Sequence, residues 1–312
     1  MARNPVAQTA YGPMVLAAIE HHEPPGQRLV DDDLATPFLP TVMRWLVAAT
    51  RPAPLRRWFI AAMDRSGPGL WVNLTCRKRF IADRVDEAIG EHVAKIQAVV
   101  ILGAGLDTLA YRLARRSPIP VFEVDQPVNI ARKATTVRRV LGELPLSVRL
   151  VALDFEHDDV LTTLVEHGYR TAFRTFFVAE GVTQYLTESA VRGTLEGLRA
   201  AATGSRLVFT YVRRDFIDGT NLYGSPTLYR KVCAAAPASP LLRRASLNRR
   251  VGSGKLWHFG LQPAEVADFL AEYGWRLIEQ AGPEQFLQRY VEPTGRRLGA
   301  SDLEWSVYAE KL

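Results

Sequence analysis

The stretch that most constrains this chain is Val99-Val100-Ile101-Leu102-Gly103-Ala104-Gly105-Leu106-Asp107-Thr108. An apolar run stops at a Gly-x-Gly turn, and Leu106, Leu109 and Leu113 then recur at helical spacing. About twenty residues later, Val121-Phe122-Glu123-Val124-Asp125 reads as a second short strand that ends in acid. A strand, glycine turn, helix and acid-ended strand in this order is how an α/β sheet holds an adenine nucleoside. The glycines let the main chain approach the ligand, and the carboxylate takes ribose hydroxyls.

The pattern continues along the chain. Strands are expected at 98–102, 120–124, 148–153, 175–179, 206–212, 275–280 and 303–311. Helices are expected at 107–116, 127–141, 157–167, 188–202 and 263–273. Strands alternating with helices imply a mostly parallel sheet covered on both faces, the α/β class. Residues 1–97 read as a helical cap, with apolar residues at helical spacing over 10–20, 39–49, 55–63 and 79–95. Residues 98–312 form the sheet-bearing core. Within it, 213–260 is too long for a plain connection and reads as an insertion lying over the site.

The residues after the glycine turn narrow the choice of ligand. A dinucleotide fingerprint wants a third glycine where the chain has Thr108, and Asp107 would compete with a pyrophosphate for the helix N-terminus. S-adenosylmethionine has no phosphate, so Asp107 is compatible with it and can meet its ammonium group. Capping of the helix is the plainer role for Asp107 or Thr108. Gly103, Ala104 and Gly105 are the expected cradle, and Asp125, at the carboxyl end of its strand, the ribose ligand, with Glu123 on the same strand face. Asp154-Phe155 ends the third strand, where a carboxylate can accept the adenine amino group and Phe155 can pack on the base. The alternative for Asp154 is a cap for the helix near His157. Glu180 leaves the very apolar Phe176-Phe177-Val178-Ala179 and needs a partner, for which a cationic ligand is suited.

Composition excludes little. The net charge of +6, from 39 basic and 33 acidic residues, is spread along the chain. Its densest cluster, Arg243, Arg244, Arg249 and Arg250, reads as a solvated face rather than a phosphate track, so no nucleic-acid partner is expected. Cys76 and Cys233 offer neither a disulfide framework nor metal spacing, and no metal is expected. No signal peptide is read at the start, and Trp45 to Met63 carries Arg51, Arg56, Arg57 and two prolines, too many interruptions to span a bilayer. The expectation is a cytoplasmic protein with no membrane partner.

Several of these runs together resemble the leucine carboxyl methyltransferase-like family of S-adenosylmethionine-dependent methyltransferases, in its bacterial natural-product branch. They are Leu102 to Thr108, Phe122-Glu123-Val124-Asp125-Gln126-Pro127 and Ala179-Glu180-Gly181-Val182-Thr183-Gln184-Tyr185-Leu186. Thr9 to Pro13, Arg28 to Asp32, Phe259 to Leu261 and Arg289 to Arg296 look like the family's signatures near either end. The resemblance implies a Rossmann-like class I methyltransferase, with a seven-stranded, mostly parallel sheet whose last strand is antiparallel. By position, Gly103, Asp125, Asp154, Phe155 and Glu180 match its cofactor contacts. Arg77 matches an arginine that holds the methionine carboxylate, although Arg77-Lys78-Arg79 leaves open which arginine serves. The chain departs from the family at Ala17, where a basic residue is usual, and at Lys78, where threonine is.

Methyl transfer to a small molecule is then the implied activity, with S-adenosylhomocysteine as product. Tyr185, His258 and Tyr290 are the expected catalytic residues, and Arg213, Tyr223 and Arg289 are further candidates for substrate handling. A carboxylate acceptor needs only orientation, whereas a hydroxyl acceptor benefits from a base such as histidine. Two alternatives stand beside an O-methyltransferase: a pericyclase or other cyclase that keeps the cofactor without transferring methyl, and a binding protein with a vestigial pocket.

Overall fold

A computed structural model describes residues 11–90, 95–233 and 255–312. Among these residues, seven strands form one sheet in the order β3-β2-β1-β4-β5-β7-β6. They are β1 (Ala98–Leu102), β2 (Val121–Asp125), β3 (Val148–Ala152), β4 (Thr175–Ala179), β5 (Arg206–Val212), β6 (Trp275–Ala281) and β7 (Glu304–Lys311). The first five are parallel, and β7 runs antiparallel between β5 and β6. The strand order reverses at β1, which lies between β2 and β4. In open α/β sheets such a reversal opens a crevice at the strands' carboxyl ends, and this is where ligands bind.

Strand periodicity divides the core in two. Every residue of β1 is buried. Val99 and Ile101 join one apolar cluster while Ala98, Val100 and Leu102 join the other, because successive side chains leave opposite faces. The first cluster packs against α1 (Tyr11–Glu20) and the long helix Leu70–Gly90. Between them in the chain come α2 (Thr41–Ala49) and α3 (Ala53–Ser66), so the long helix is α4. The crossover helices are α5 (Leu109–Ala114), α6 (Pro127–Leu141), α7 (Val160–Glu166) and α8 (Glu188–Gly197). After them come α9 (Pro226–Val232) and α10 (Val266–Ala271).

The observed α4 begins at Leu70, nine residues before the expected 79–95 helix. Asn73 and Thr75 obscure its apolar stripe, yet both are satisfied. Thr75 donates back to the Trp71 carbonyl at 2.7 Å. The Asn73 amide donates to Ser301 O at 2.7 Å and Glu304 O at 3.0 Å, and accepts from Ser301 N at 2.8 Å. Asn73 therefore stitches α4 to the start of β7. Glu20, fully buried at the end of α1, does similar work. It accepts from Leu29 N at 3.0 Å, Trp71 Nε1 at 2.6 Å and Arg296 at 2.7 Å. The helix expected at 157–167 starts at Val160 because the Asp159 carboxylate accepts from Thr162 N at 2.7 Å. The Arg243 to Arg250 cluster lies outside the described residues. What is described of 213–260 includes α9 and a parallel bridge between Arg213 and Leu261.

One buried pair holds the glycine turn to the sheet. Lys133 of α6 and Glu123 of β2 are almost completely buried and lie 2.7 Å apart. The Lys133 ammonium also donates to the carbonyls of Ala104 at 3.1 Å and Asp107 at 2.6 Å. Tyr111 donates to the other Glu123 oxygen at 2.5 Å. Lys133→Met should cost about 3–5 kcal/mol in urea unfolding, because it leaves Glu123 as an uncompensated buried charge. The double variant Lys133→Met/Glu123→Gln should recover part of that loss; equal destabilisation by the single and double variants would disprove the coupling.

Candidate active site

The turn after β1 is built for close approach. Gly103 has φ +65° and Gly105 φ +46°, in the left-handed region that glycine enters without strain. A Cβ on Gly103 would sit 2.4 Å from the Val182 side chain. Gly105 N donates at 2.7 Å to one Asp125 oxygen, while the other accepts from Gln126 N and the Asn129 amide, each at 2.7 Å. The ribose-ligand candidate is thus oriented by three donors, and one acceptor direction of the roughly four on a carboxylate remains free.

Beside the turn, α4 places two cations among three carboxylates. Arg77 Nε donates to Glu180 at 3.0 Å, and its Nη1 donates to both oxygens of Glu304 at 2.7 Å. Nη2 keeps its donors, with no hydrogen bond among the described residues. Lys78 pairs with Asp107 and, at 3.2 Å, with Glu180. The second Asp107 oxygen accepts from Leu109 N at 2.7 Å, so Asp107 also caps α5. Thr108 instead donates to Asp32 at 2.6 Å.

Burial works against the charge on Lys78, but Asp107 and Glu180 outweigh it and raise its proton affinity. Arg77 is raised in the same way by Glu304 and Glu180. Burial would push Asp107 up, yet Lys78, Arg112 and Lys133 hold it well below the usual carboxylate range. Arg77, Lys78 and Asp107 therefore remain ionised at neutral pH.

These residues line a cavity of about 520 Å³ at the carboxyl ends of β1, β2 and β4. Of the residues expected from sequence, Arg77, Gly103, Ala104, Gly105, Asp107, Asp125, Phe155, Glu180 and Tyr185 are in its wall. Three others are elsewhere. Asp154 turns back on its own loop, accepting from Glu156 N and lying 3.1 Å from His157 Nδ1; it shapes the turn before the helix, whose cap is Asp159 and not Asp154. The His258 side chain is exposed, and its main-chain N–H donates to Gln184 O at 2.7 Å. Its neighbour Trp257 faces the cavity instead, edge-on to Tyr185. Tyr290 is buried against Phe286, with the Arg79 guanidinium 5.2 Å from its ring centroid.

Helix geometry accounts for Tyr290 and for the choice between the arginines. Two residues apart on a helix is about 200° of rotation, so Arg79 and Tyr290 lie on the side of α4 away from Arg77. Arg213, Tyr223 and Arg289 are also outside the wall. Arg213 pairs with Asp302 at 2.7 Å, Tyr223 donates to Asp215 at 2.7 Å, and Arg289 pairs with Glu279 at 2.6 Å.

Sequence reasoning missed Glu304, Asn129 and Lys133. Asn129 carried a usable signal, four residues after Asp125 at the start of a helix. Glu304 carried none, since only the antiparallel return of β7 brings it to Arg77.

The comparisons with known proteins agree with this architecture. Residues 10–199 match the model of the leucine carboxyl methyltransferase family, and the chain belongs to that family. A provisionally named S-adenosyl-L-methionine-dependent methyltransferase of Mycolicibacterium paratuberculosis is 34% identical over 189 residues, covering 57% of each chain. The chain therefore matches little more than half the length of that relative. One of the same description from Mycobacterium tuberculosis is 29% identical over 274 residues, covering 85% of this chain and 72% of its own. Among solved structures, a provisionally named methyltransferase of Thermobifida fusca superposes with a TM-score of 0.54 at 16% identity, covering 98% of this chain and 97% of that one. It shares the fold, the α/β sheet of class I methyltransferases.

The ion cluster predicts an acid response. Because the Asp107 pKa is depressed on folding, its stabilisation is fully present above its ordinary value of 3.8 and is lost as pH falls towards the folded value. Asp107→Asn should lose about 2 kcal/mol at neutral pH and show a shallower fall in melting temperature below pH 4 than the parent chain. Parallel acid limbs for the two proteins would remove Asp107 from this role.

Proposed function

We propose that this protein is an S-adenosylmethionine-dependent O-methyltransferase whose acceptor is a small molecule bearing a carboxylate, with a hydroxyl as the less favoured alternative. The secondary-metabolite setting expected from the family resemblance is part of the proposal. The observation that carries it is the meeting, in one cavity wall, of the Gly103 to Gly105 cradle, Asp125, Phe155 and the cluster in which three carboxylates face two cations. The residues fit this cofactor. The surplus negative charge suits a ligand with a sulfonium and an ammonium against one carboxylate, and it opposes a pyrophosphate. The free Nη2 of Arg77 suits the methionine carboxylate, and the free acceptor direction of Asp125 suits a ribose hydroxyl.

When bound, S-adenosylmethionine supplies an activated methyl group that is taken by in-line displacement. The chain's own contribution is positioning. Arg77, Asp125 and the glycine turn orient one reactant, and the Gly105–Asp125 bond and the Arg77 bonds to Glu180 and Glu304 hold them before it arrives. Leu70, Leu74, Leu228, Val232, Trp257 and Leu303 line the cavity too and exclude water from its apolar end. Holding two reactants in attack geometry is worth about 7–11 kcal/mol in favourable systems.

A carboxylate acceptor is supported by the wall's acid–base content. Among the described residues no histidine lines the cavity, so the base that a phenol or alcohol would want is not supplied by imidazole. Lys231, exposed in the wall, can orient an anionic acceptor. Tyr185 lines the same wall, edge-on to Trp257.

Isothermal titration with S-adenosylmethionine, S-adenosylhomocysteine and NAD tests the reading. Micromolar binding of the first two and none of NAD is expected. Asp125→Ala should weaken binding by about 1–3 kcal/mol without loss of fold, and unchanged affinity in the folded variant would take Asp125 out of the site. A screen of carboxylate and hydroxyl acceptors, read as S-adenosylhomocysteine release, then tests transfer; binding without release from any acceptor would favour the cyclase alternative.

A further inference from the structure

Helices α2 and α3 turn apolar side chains away from the protein. Val42 is 80% exposed, Trp45 73%, Leu55 52% and Trp58 66%, with Leu46 at 45%. On α2 the exposed positions 42, 45, 46 and 49 follow the i, i+3, i+4, i+7 spacing of one helical face. On α3, Pro54, Leu55, Trp58 and Ala61 are exposed while Arg56 and Ile60 are buried. Scattered exposed leucines need no explanation, but two tryptophans within fourteen residues, each about two-thirds exposed or more, do.

The patch is held in shape from behind. Arg56, 4% exposed, donates to the carbonyls of Thr50 at 3.3 Å and Arg51 at 2.9 Å, and to Glu23 at 2.7 Å. The link between the two helices is thereby fixed to the body of the protein.

Its charge has one sign. From Pro40 to Met63 the chain contains no aspartate or glutamate. Arg44, Arg51 and Arg57 form no ion pair with any described residue. Arg57 also lines a groove of about 610 Å³ beside α3, together with exposed Arg297. The two acids in that groove are already engaged: Glu23 pairs with Arg56, and Asp64 accepts from Gly69 N at 2.8 Å.

We propose that α2 and α3 form a peripheral docking surface for an anionic lipid bilayer. Tryptophan prefers the water–hydrocarbon boundary, where its ring is buried and its N–H stays wet. Arginine can extend to the headgroup phosphates while its stem covers apolar surface. A second copy of the chain fits less well, because a two-fold contact on this patch would set unpaired arginines against one another with no acid between them. The mode is lying on the membrane: among the described residues no helix is long and apolar enough to cross one. The arginines that argue against a span in the sequence would be the anion-facing part of this surface, and the contact proposed goes beyond the sequence expectation of no membrane partner.

Co-sedimentation of the full chain with vesicles tests this. Vesicles of phosphatidylcholine alone are compared with vesicles in which a quarter of the lipid is phosphatidylglycerol. Binding to the anionic vesicles only, weakening as salt rises, is expected. Trp45→Ser/Trp58→Ser and, separately, Arg44→Gln/Arg51→Gln/Arg57→Gln should each reduce the partition coefficient at least tenfold. Both should keep the parent's melting temperature and S-adenosylmethionine titration. No binding of the parent chain to anionic vesicles at low salt would overturn the proposal, as would undiminished binding by the tryptophan variant. A concentration-dependent dimer in sedimentation, abolished by the tryptophan substitutions and accompanied by no vesicle binding, would assign the surface to a second copy instead.

Discussion

Two adjacent buried cations on α4, Arg77 and Lys78, are the constraint around which the site is arranged. Taking an ammonium and a guanidinium out of water is costly unless each meets a carboxylate at close range. The partners come from three separate places: Asp107 after β1, Glu180 after β4 and Glu304 at the start of β7. Satisfying them seats α4 across the open end of the sheet. Each ion pair is therefore also a positional tie between the N-terminal helices and a strand end, and each cation is held by two carboxylates from different elements.

The same logic holds on the other side of the glycine turn. Lys133 reaches from α6 to two carbonyls of the turn and to Glu123. Asp125, at the end of β2, meanwhile accepts from Gly105 and from Asn129 of α6. Backbone in the left-handed region is thus held by side chains from two elements. A cradle fixed in this way loses little freedom when a ligand arrives, which is the source of pre-organisation in binding.

The N-terminal helices have two outward tasks. Residues 12–14 of α1 and the first turns of α4 help close the cavity, while α2 and α3, between them in the chain, carry exposed tryptophans and unpaired arginines. The helices that wall the cavity are also connected to the surface proposed to meet a membrane. An acceptor with apolar character would therefore find the protein already at the interface where it partitions.

Much of the fold was legible because its signals are local. The apolar runs of β1, β4 and β5 match the observed strands residue for residue, since strands buried on both faces are dominated by apolar residues and bounded by polar ones. The glycine turn, Asp125 and Glu180 were visible for a related reason: strand ends and turns carry residue types that little else explains. The errors also have physical causes. Residues 70–78 were not read as helix because Asn73 and Thr75 hide its stripe, and their partners lie on β7 and on the preceding turn. Asp154 was drawn to the site by its place at a strand end, His258 by its place in the insertion and Tyr290 by a C-terminal signature, and position along the chain is silent about the direction in which a side chain leaves the backbone. By itself the sequence determined the α/β rhythm, the turn chemistry and the family, because propensity, hydrophobic period and glycine conformation act over a few residues. Only the tertiary structure decided that Arg77 and not Arg79 faces the cavity, that Glu304 completes its ion cluster and that Lys133 pins the turn. Those outcomes depend on the rotation of a helix and on contacts between residues far apart in the chain, and no local pattern encodes either.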